Sequence, residues 1–124
     1  MHLNKIVLLF AVLLFCSCES KIKSTDVEFV NNEIVYNAKP YTGQVWSKDG
    51  KSLVVEVSDG RPIKITLFHK NGNPALVSTK ILHDGELEHF DINGYEMTEH
   101  EWETKYGDLL NNFDLEGEFP IFSK

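Results

Sequence analysis

Cysteine is scarce in this chain of 124 residues: Cys16 and Cys18 are its two, and none follows position 18. That excludes a disulfide framework, which needs cysteines spread along the folded part. Long apolar runs are scarce as well. The longest, residues 6–15 (Ile-Val-Leu-Leu-Phe-Ala-Val-Leu-Leu-Phe), has ten residues, about half of the roughly 20 that a helix needs to span a bilayer. Basic residues nearly vanish from the last third, where residues 84–124 hold 2 Lys+Arg against 12 Asp+Glu, a net of −10. Such a surface repels a phosphate backbone and argues against nucleic acid as a partner. The whole chain carries 12 basic and 19 acidic groups, net −7. The asymmetry reads either as an acidic face for a cationic partner or as a solvated surface that keeps the protein soluble.

What the N-terminus does contain is an address. Lys5 precedes the apolar run, and Cys16-Ser17-Cys18 follows it. A positive residue, a short apolar stretch and small residues in that order form a secretory signal. Ser17 is small enough for a signal-peptidase pocket, whereas Phe15 before Cys16 is not. Leu14-Phe15-Cys16-Ser17-Cys18 resembles a bacterial lipobox, which implies that Cys18 receives a lipid and becomes the new N-terminus; ordinary cleavage leaving a free thiol is the alternative. Several acyl chains on one cysteine, at about 0.8 kcal/mol per buried CH₂, would anchor the protein firmly. Removing residues 1–17 leaves 107 residues, enough for one domain. Residues 18–32 are mostly polar and suit a tether, with Val27, Phe29 and Val30 as a possible strand start.

An internal repeat runs through the middle. Trp46-Ser-Lys-Asp49-Gly50, Phe68-His-Lys-Asn71-Gly72 and Phe90-Asp-Ile-Asn93-Gly94 line up at spacings of 22 and 22. Asp59-Gly60 and Asp84-Gly85 add two more turn signals. Asp-Gly and Asn-Gly favour type I′ turns, because both central residues need positive φ. Between them lie runs rich in Val, Ile, Leu, Thr and Phe, such as Ser52–Val57, Ile63–Phe68 and Leu76–Leu82. These read as strands, six in sequence, forming an antiparallel meander. Two-residue turns would set Trp46 opposite Leu53, Phe68 opposite Ala75 and Phe90 opposite Met97, all on one face. The result is an aromatic stripe of Trp46, Phe68 and Phe90. It reads either as the face packed under the C-terminal segment or as an exposed platform for glycan or peptide.

Tyr36-Asn37-Ala38-Lys39-Pro40-Tyr41-Thr42-Gly43, followed by the aromatic-x-x-(Asp/Asn)-Gly units, resembles the MORN-repeat variants of bacterial lipoproteins. Many of these carry the label "toxin–antitoxin system antitoxin" (the YwqK-like group). The resemblance covers residues 33–97. It implies a single-layer sheet of stacked hairpins that acts as a binding or scaffold surface, and a place in the outer membrane.

Thr98-Glu99-His100-Glu101 is a capping-box pattern. Trp102, Tyr106, Leu109 and Phe113 follow at spacings of 4, 3 and 4, one face of a helix. A helix laid over the end of the sheet would cover its apolar surface, and the tail Phe119-Pro120-Ile121-Phe122 is apolar enough to pack beside it. Catalytic and metal motifs are incomplete. His100-Glu101 lacks the second histidine of a zinc-protease helix. His69, His83 and His89 read as solvated strand residues. Asn112-x-Asp114-x-Glu116-Gly117 starts like a calcium loop but has Ser123 at its twelfth position. Glu86 and Glu88 could mimic a carboxylate pair, but a meander offers no cleft with opposed acids.

The expected molecule is therefore mainly β: a single-layer antiparallel meander of 22-residue MORN-like hairpin repeats with a C-terminal capping α-helix. Its parts are a signal peptide (1–17), a tether (18–32), the repeat sheet (33–97) and the capping helix with its tail (98–124). The expected role is non-catalytic and needs no cofactor or metal. It is a lipid-anchored envelope protein, bound to the membrane through Cys18 and to a protein partner through Trp46, Phe68 and Phe90. One alternative is an antitoxin or immunity-type protein that neutralises a basic partner through its acidic C-terminal third. Another is a small envelope hydrolase.

Overall fold

The computed structural model describes residues 21–79 and 85–123. The signal peptide, Cys18, His83 and Asp84 lie outside the described residues. The architecture is mainly β, with two antiparallel sheets rather than one layer. The small sheet holds β1 (Glu28–Val30), β2 (Glu33–Tyr36) and β3 (Lys39–Pro40). The large sheet is a six-stranded meander of β4 (Gly43–Trp46), β5 (Leu53–Ser58), β6 (Arg61–Phe68), β7 (Pro74–Ser78), β8 (Leu87–Phe90) and β9 (Glu96–Met97). Two helices follow, α1 (Glu99–Asn111) and the single turn α2 (Leu115–Glu118), and then a 3-10 turn at Pro120–Phe122.

Sheet structure thus begins ahead of Glu33, within the segment expected to be tether. Its cause is two tight turns that contain no glycine. Asn31-Asn32 and Asn37-Ala38 all have positive φ, between +51 and +64. Asparagine tolerates that region because its short amide bonds locally. Each pair closes a two-residue hairpin, with Val30 opposite Glu33 and Tyr36 opposite Lys39. The small sheet is fixed to the large one by backbone bonds from Ile34 N–H to Gly60 O (2.8 Å) and from Gly60 N–H to Tyr41 O (2.8 Å).

The turns of the large sheet are of two kinds. Asp59-Gly60 has positive φ at both residues (+49 and +81) and joins Ser58 to Arg61, the expected type I′ geometry. At Gly50, Gly72 and Gly94 only the glycine is left-handed, at φ +73, +91 and +94. In each, the glycine N–H donates to the carbonyl three residues back: Ser47 O (2.8 Å), His69 O (3.0 Å) and Asp91 O (3.0 Å). That is the type I turn with a glycine bulge, whose loop is longer than two residues. The consequence is a correction to the register. Trp46 faces Val54 rather than Leu53, and Phe90 faces Glu96 rather than Met97. In contrast, β6 and β7 keep the expected register at Thr66–Val77 and Leu67–Leu76 and depart from it only at a bulge, where Phe68 faces Pro74 rather than Ala75.

A shift of one residue reverses which side chains share a face. One row across the large sheet reads Leu53–Leu67–Leu76–His89–Met97, and the opposite face carries Trp46–Val54–Thr66–Val77–Glu88. The first row takes the helix. Thr98 caps α1 by accepting from Glu101 N–H (3.3 Å), as the capping pattern predicts. Trp102 is 2% exposed, and Tyr106, Leu109 and Phe113 pack on the core beside it. The tail also packs inward, with Phe119 fully buried and its ring edge-on to Phe29 at 6.2 Å. Phe119 therefore joins the small sheet to the core that Val45, Val55 and Leu67 build on the large one. Fully burying an aliphatic or aromatic side chain contributes about 1.5–3 kcal/mol, so the C-terminal segment is integral to the fold.

Candidate functional site

The aromatic residues singled out by the repeat do not form the core. Trp46, Phe68 and Phe90 are half-buried, and none belongs to the cluster that packs under α1 and the tail. Trp46 and Phe68 stack with ring centroids 5.6 Å apart and planes 16° apart. Their strands, β4 and β6, flank β5 and stand about 9–10 Å from each other. The rings therefore lean together across β5, over Val54, which is 4% exposed. Phe90 lies on the same face by alternation with Glu88, but it makes no ring contact among the described residues. The structure thus brings two of the three stripe residues together and leaves the third apart.

The Trp46 pair has charged neighbours. Residues 21–23 run beside β4, where Trp46 N–H donates to Ile22 O (2.8 Å) and Lys23 bridges to Trp46 in parallel. Lys21 Nζ sits 4.1 Å from the centre of the Trp46 ring and donates to Gly50 O at 2.8 Å. An ammonium over an indole face is attracted by the ring quadrupole. Next on this face comes the Glu56–Lys64 ion pair, at 3.7 Å.

Asp49 holds the turn below Trp46. Its carboxylate accepts from Ser47 Oγ (2.6 Å), Lys51 N–H (3.0 Å), Ser52 N–H (2.9 Å) and Ser52 Oγ. Partial burial acts to raise this carboxyl, but the bonds from Ser47, Ser52 and Lys51 outweigh it and hold it well below the usual carboxylate range. The other two turns interlock. Asn71 Nδ2 and Asn73 Nδ2 both donate to Ile92 O, at 2.8 and 2.9 Å.

The described histidines differ from expectation. His69 and His89 are not solvated; they are 5% and 7% exposed. Both lie under α1, His69 edge-on to Tyr106 at 4.6 Å and His89 beside Trp102 at 5.5 Å. His69 Nε2 lies 2.9 Å from Phe90 O. A carbonyl can only accept, so this nitrogen carries the proton. His100 stays exposed on α1. The calcium-like segment is used otherwise, since Asp114 caps α2 by accepting from Gly117 N–H (3.0 Å). Among the described residues no group of three or more His, Cys, Asp or Glu is placed to hold a metal, and no helix is long and apolar enough to cross a membrane.

A concavity lies at the turn end of the sheet, where α1 passes the loops that follow Trp46 and Phe68. This groove of about 540 Å³ has Leu67, Ile92, Tyr106, Leu109 and Phe113 among its walls. Phe68 borders it as well. Sequence reasoning passed over it, although two signals pointed there. Lys70 and Ile92 share one phase of the 22-residue spacing, which sets them on adjacent turns, and Lys105 and Asp108 flank the apolar stripe of α1. Comparison with family models, with curated proteins and with solved structures finds no match to this chain.

Proposed function

We propose that this chain is a non-catalytic binding or scaffold protein of a bacterial envelope, tethered by a lipid on Cys18, whose MORN-like hairpin sheet presents Trp46 and Phe68 to a partner. The observation that carries the reading is the stacked Trp46–Phe68 pair, which lies outside the core on the face that α1 leaves free. Half-buried aromatic pairs rimmed by polar groups are the usual anchors of protein interfaces. Here the rim is Lys21 on one side and the Glu56–Lys64 pair on another.

A second reading has its own support. Glu99, Glu101 and Glu103 are exposed on α1, and the one ion pair among the described residues is Glu56–Lys64. These carboxylates are available to a basic partner, as an antitoxin-like or immunity-type role requires.

Crosslinking in a related bacterium tests both. The full chain is tagged after Lys124, crosslinked in whole cells and purified from wild type and from a folded Trp46→Ala/Phe68→Ala variant. A partner captured by wild type and lost from that variant supports the platform. A basic partner retained by that variant but lost from Glu99→Gln/Glu101→Gln/Glu103→Gln supports the second reading. Mass spectrometry of the purified chain for an acylated Cys18 tests the anchor separately.

A further inference from the structure

We infer that the groove between α1 and the turns of the large sheet binds a small molecule with an apolar tail and a single carboxylate. Its volume of about 540 Å³ falls in the range of small-molecule sites, roughly 300–1,000 Å³. Its walls are apolar side chains from two layers, Leu67 and Ile92 from the sheet side and Tyr106, Leu109 and Phe113 from α1 and its end. Ile92 at its edge is 39% exposed, a large aliphatic side chain left partly uncovered. Apolar surface of this kind is stabilised by an apolar occupant.

The charge at the rim identifies the head group. Lys70 and Lys105 line the groove, and Lys51 borders the adjoining hollow that shares Ser52, His69, Lys70 and Leu109 with it. Lys105 Nζ stands 5.5 Å from the centre of the Tyr106 ring, above a groove wall. Asp108 is the one carboxylate on the lining. None of the three lysines takes part in an ion pair among the described residues, where the one pair is Glu56–Lys64. In a chain of net −7, where carboxylates outnumber cations, two unpaired ammoniums on the groove and a third on the adjoining hollow, against the single carboxylate of Asp108, leave this rim net positive and suited to an anion. A monocarboxylate with an unbranched tail matches both features: the tail enters between sheet and helix, and the head meets the lysines at the mouth. The groove shares Phe68 with the Trp46 platform, but the inference rests on Lys70, Lys105 and the walls from Leu67, Ile92, Tyr106, Leu109 and Phe113, none of which belongs to that pair.

The test is calorimetric titration of the full-length protein with three probes of equal tail length, each below its micelle concentration: dodecanoate, dodecanol and dodecyltrimethylammonium. We expect saturable one-to-one binding of dodecanoate, roughly tenfold or more tighter than that of the ammonium. Lys51→Gln/Lys70→Gln/Lys105→Gln alters exposed residues only and should erase that preference. Leu109→Glu, checked for folding by circular dichroism, should abolish binding. Equal affinities for the three probes, no saturable binding of dodecanoate, or an unchanged preference in the lysine variant would each overturn the inference. So would binding of an apolar hexapeptide through its C-terminal carboxylate in the absence of dodecanoate binding, which would assign the groove to a protein partner.

Discussion

The two faces of the six-stranded sheet come from the same strands, and alternate residues of one chain decide which is which. On one face, Leu53, Leu67, Leu76, His89 and Met97 form a row under α1. On the other, Trp46 and Phe68 lean together across β5 beside an exposed ion pair. The largest aromatic side chains of the repeat stand on the face without the helix, and two histidines stand beneath it. Aromatic content therefore does not identify the core of this sheet. Cover does: the face that meets Trp102, Tyr106 and Phe119 is the core, whatever residues it carries.

Trp102→Ala should break the comparison most severely. It empties the centre of the covered face and should cost about 3–5 kcal/mol, read as a drop in the denaturant midpoint of unfolding. Trp102→Phe should recover most of that loss, because the buried indole N–H has no hydrogen-bond partner to lose. If both variants unfold alike, α1 is not held by packing alone. Trp46→Ala on the open face should cost only about 1–2 kcal/mol, the size of a partly exposed aromatic contact. Its main effect should appear in partner capture. A loss as large as that of Trp102→Ala would make the open face a second core.

The smallest effect sharpens the comparison at the turn below Trp46. The folded Asp49 carboxyl is held below its unfolded value of about 3.9. Its contribution is therefore present above that pH and fades as pH falls below about 4 toward the lowered folded value. Asp49→Asn should lower stability slightly at neutral pH and flatten the acid limb of a thermal-unfolding profile. An acid limb identical to wild type would remove Asp49 from the turn's stabilisation.

Much of this fold was legible in the residues. The β-rich runs within Leu53–Ser58 and Arg61–Phe68, the Thr98 cap and the Trp102–Tyr106–Leu109 stripe each rest on preferences that act over a few residues. The apolar tail was legible as packed material. The small sheet was not, because its turns at Asn31-Asn32 and Asn37-Ala38 take left-handed backbone without glycine. The candidate platform was legible as residue types but not as geometry. Asn-Gly and Asp-Gly suit both the two-residue type I′ turn and the type I turn with a glycine bulge. The chain uses the first at Asp59-Gly60 and the second at Gly50, Gly72 and Gly94.

By itself the sequence determined the local elements of the large sheet and of α1: where those strands run, where the glycine turns fall, where α1 starts and which of its sides is apolar. These follow from propensity, capping and periodicity, which act over a few residues. Only the tertiary structure decided which face of the sheet meets the helix, and with it the burial of His69 and His89, the stacking of Trp46 on Phe68 and the groove beside Tyr106. The reason is the two-residue period of a strand. One extra residue in a loop leaves every strand in place and moves its side chains from one face to the other. That choice is settled by the hydrogen bonds of each turn together with the packing of α1 and Phe119, contacts made between residues far apart in the chain.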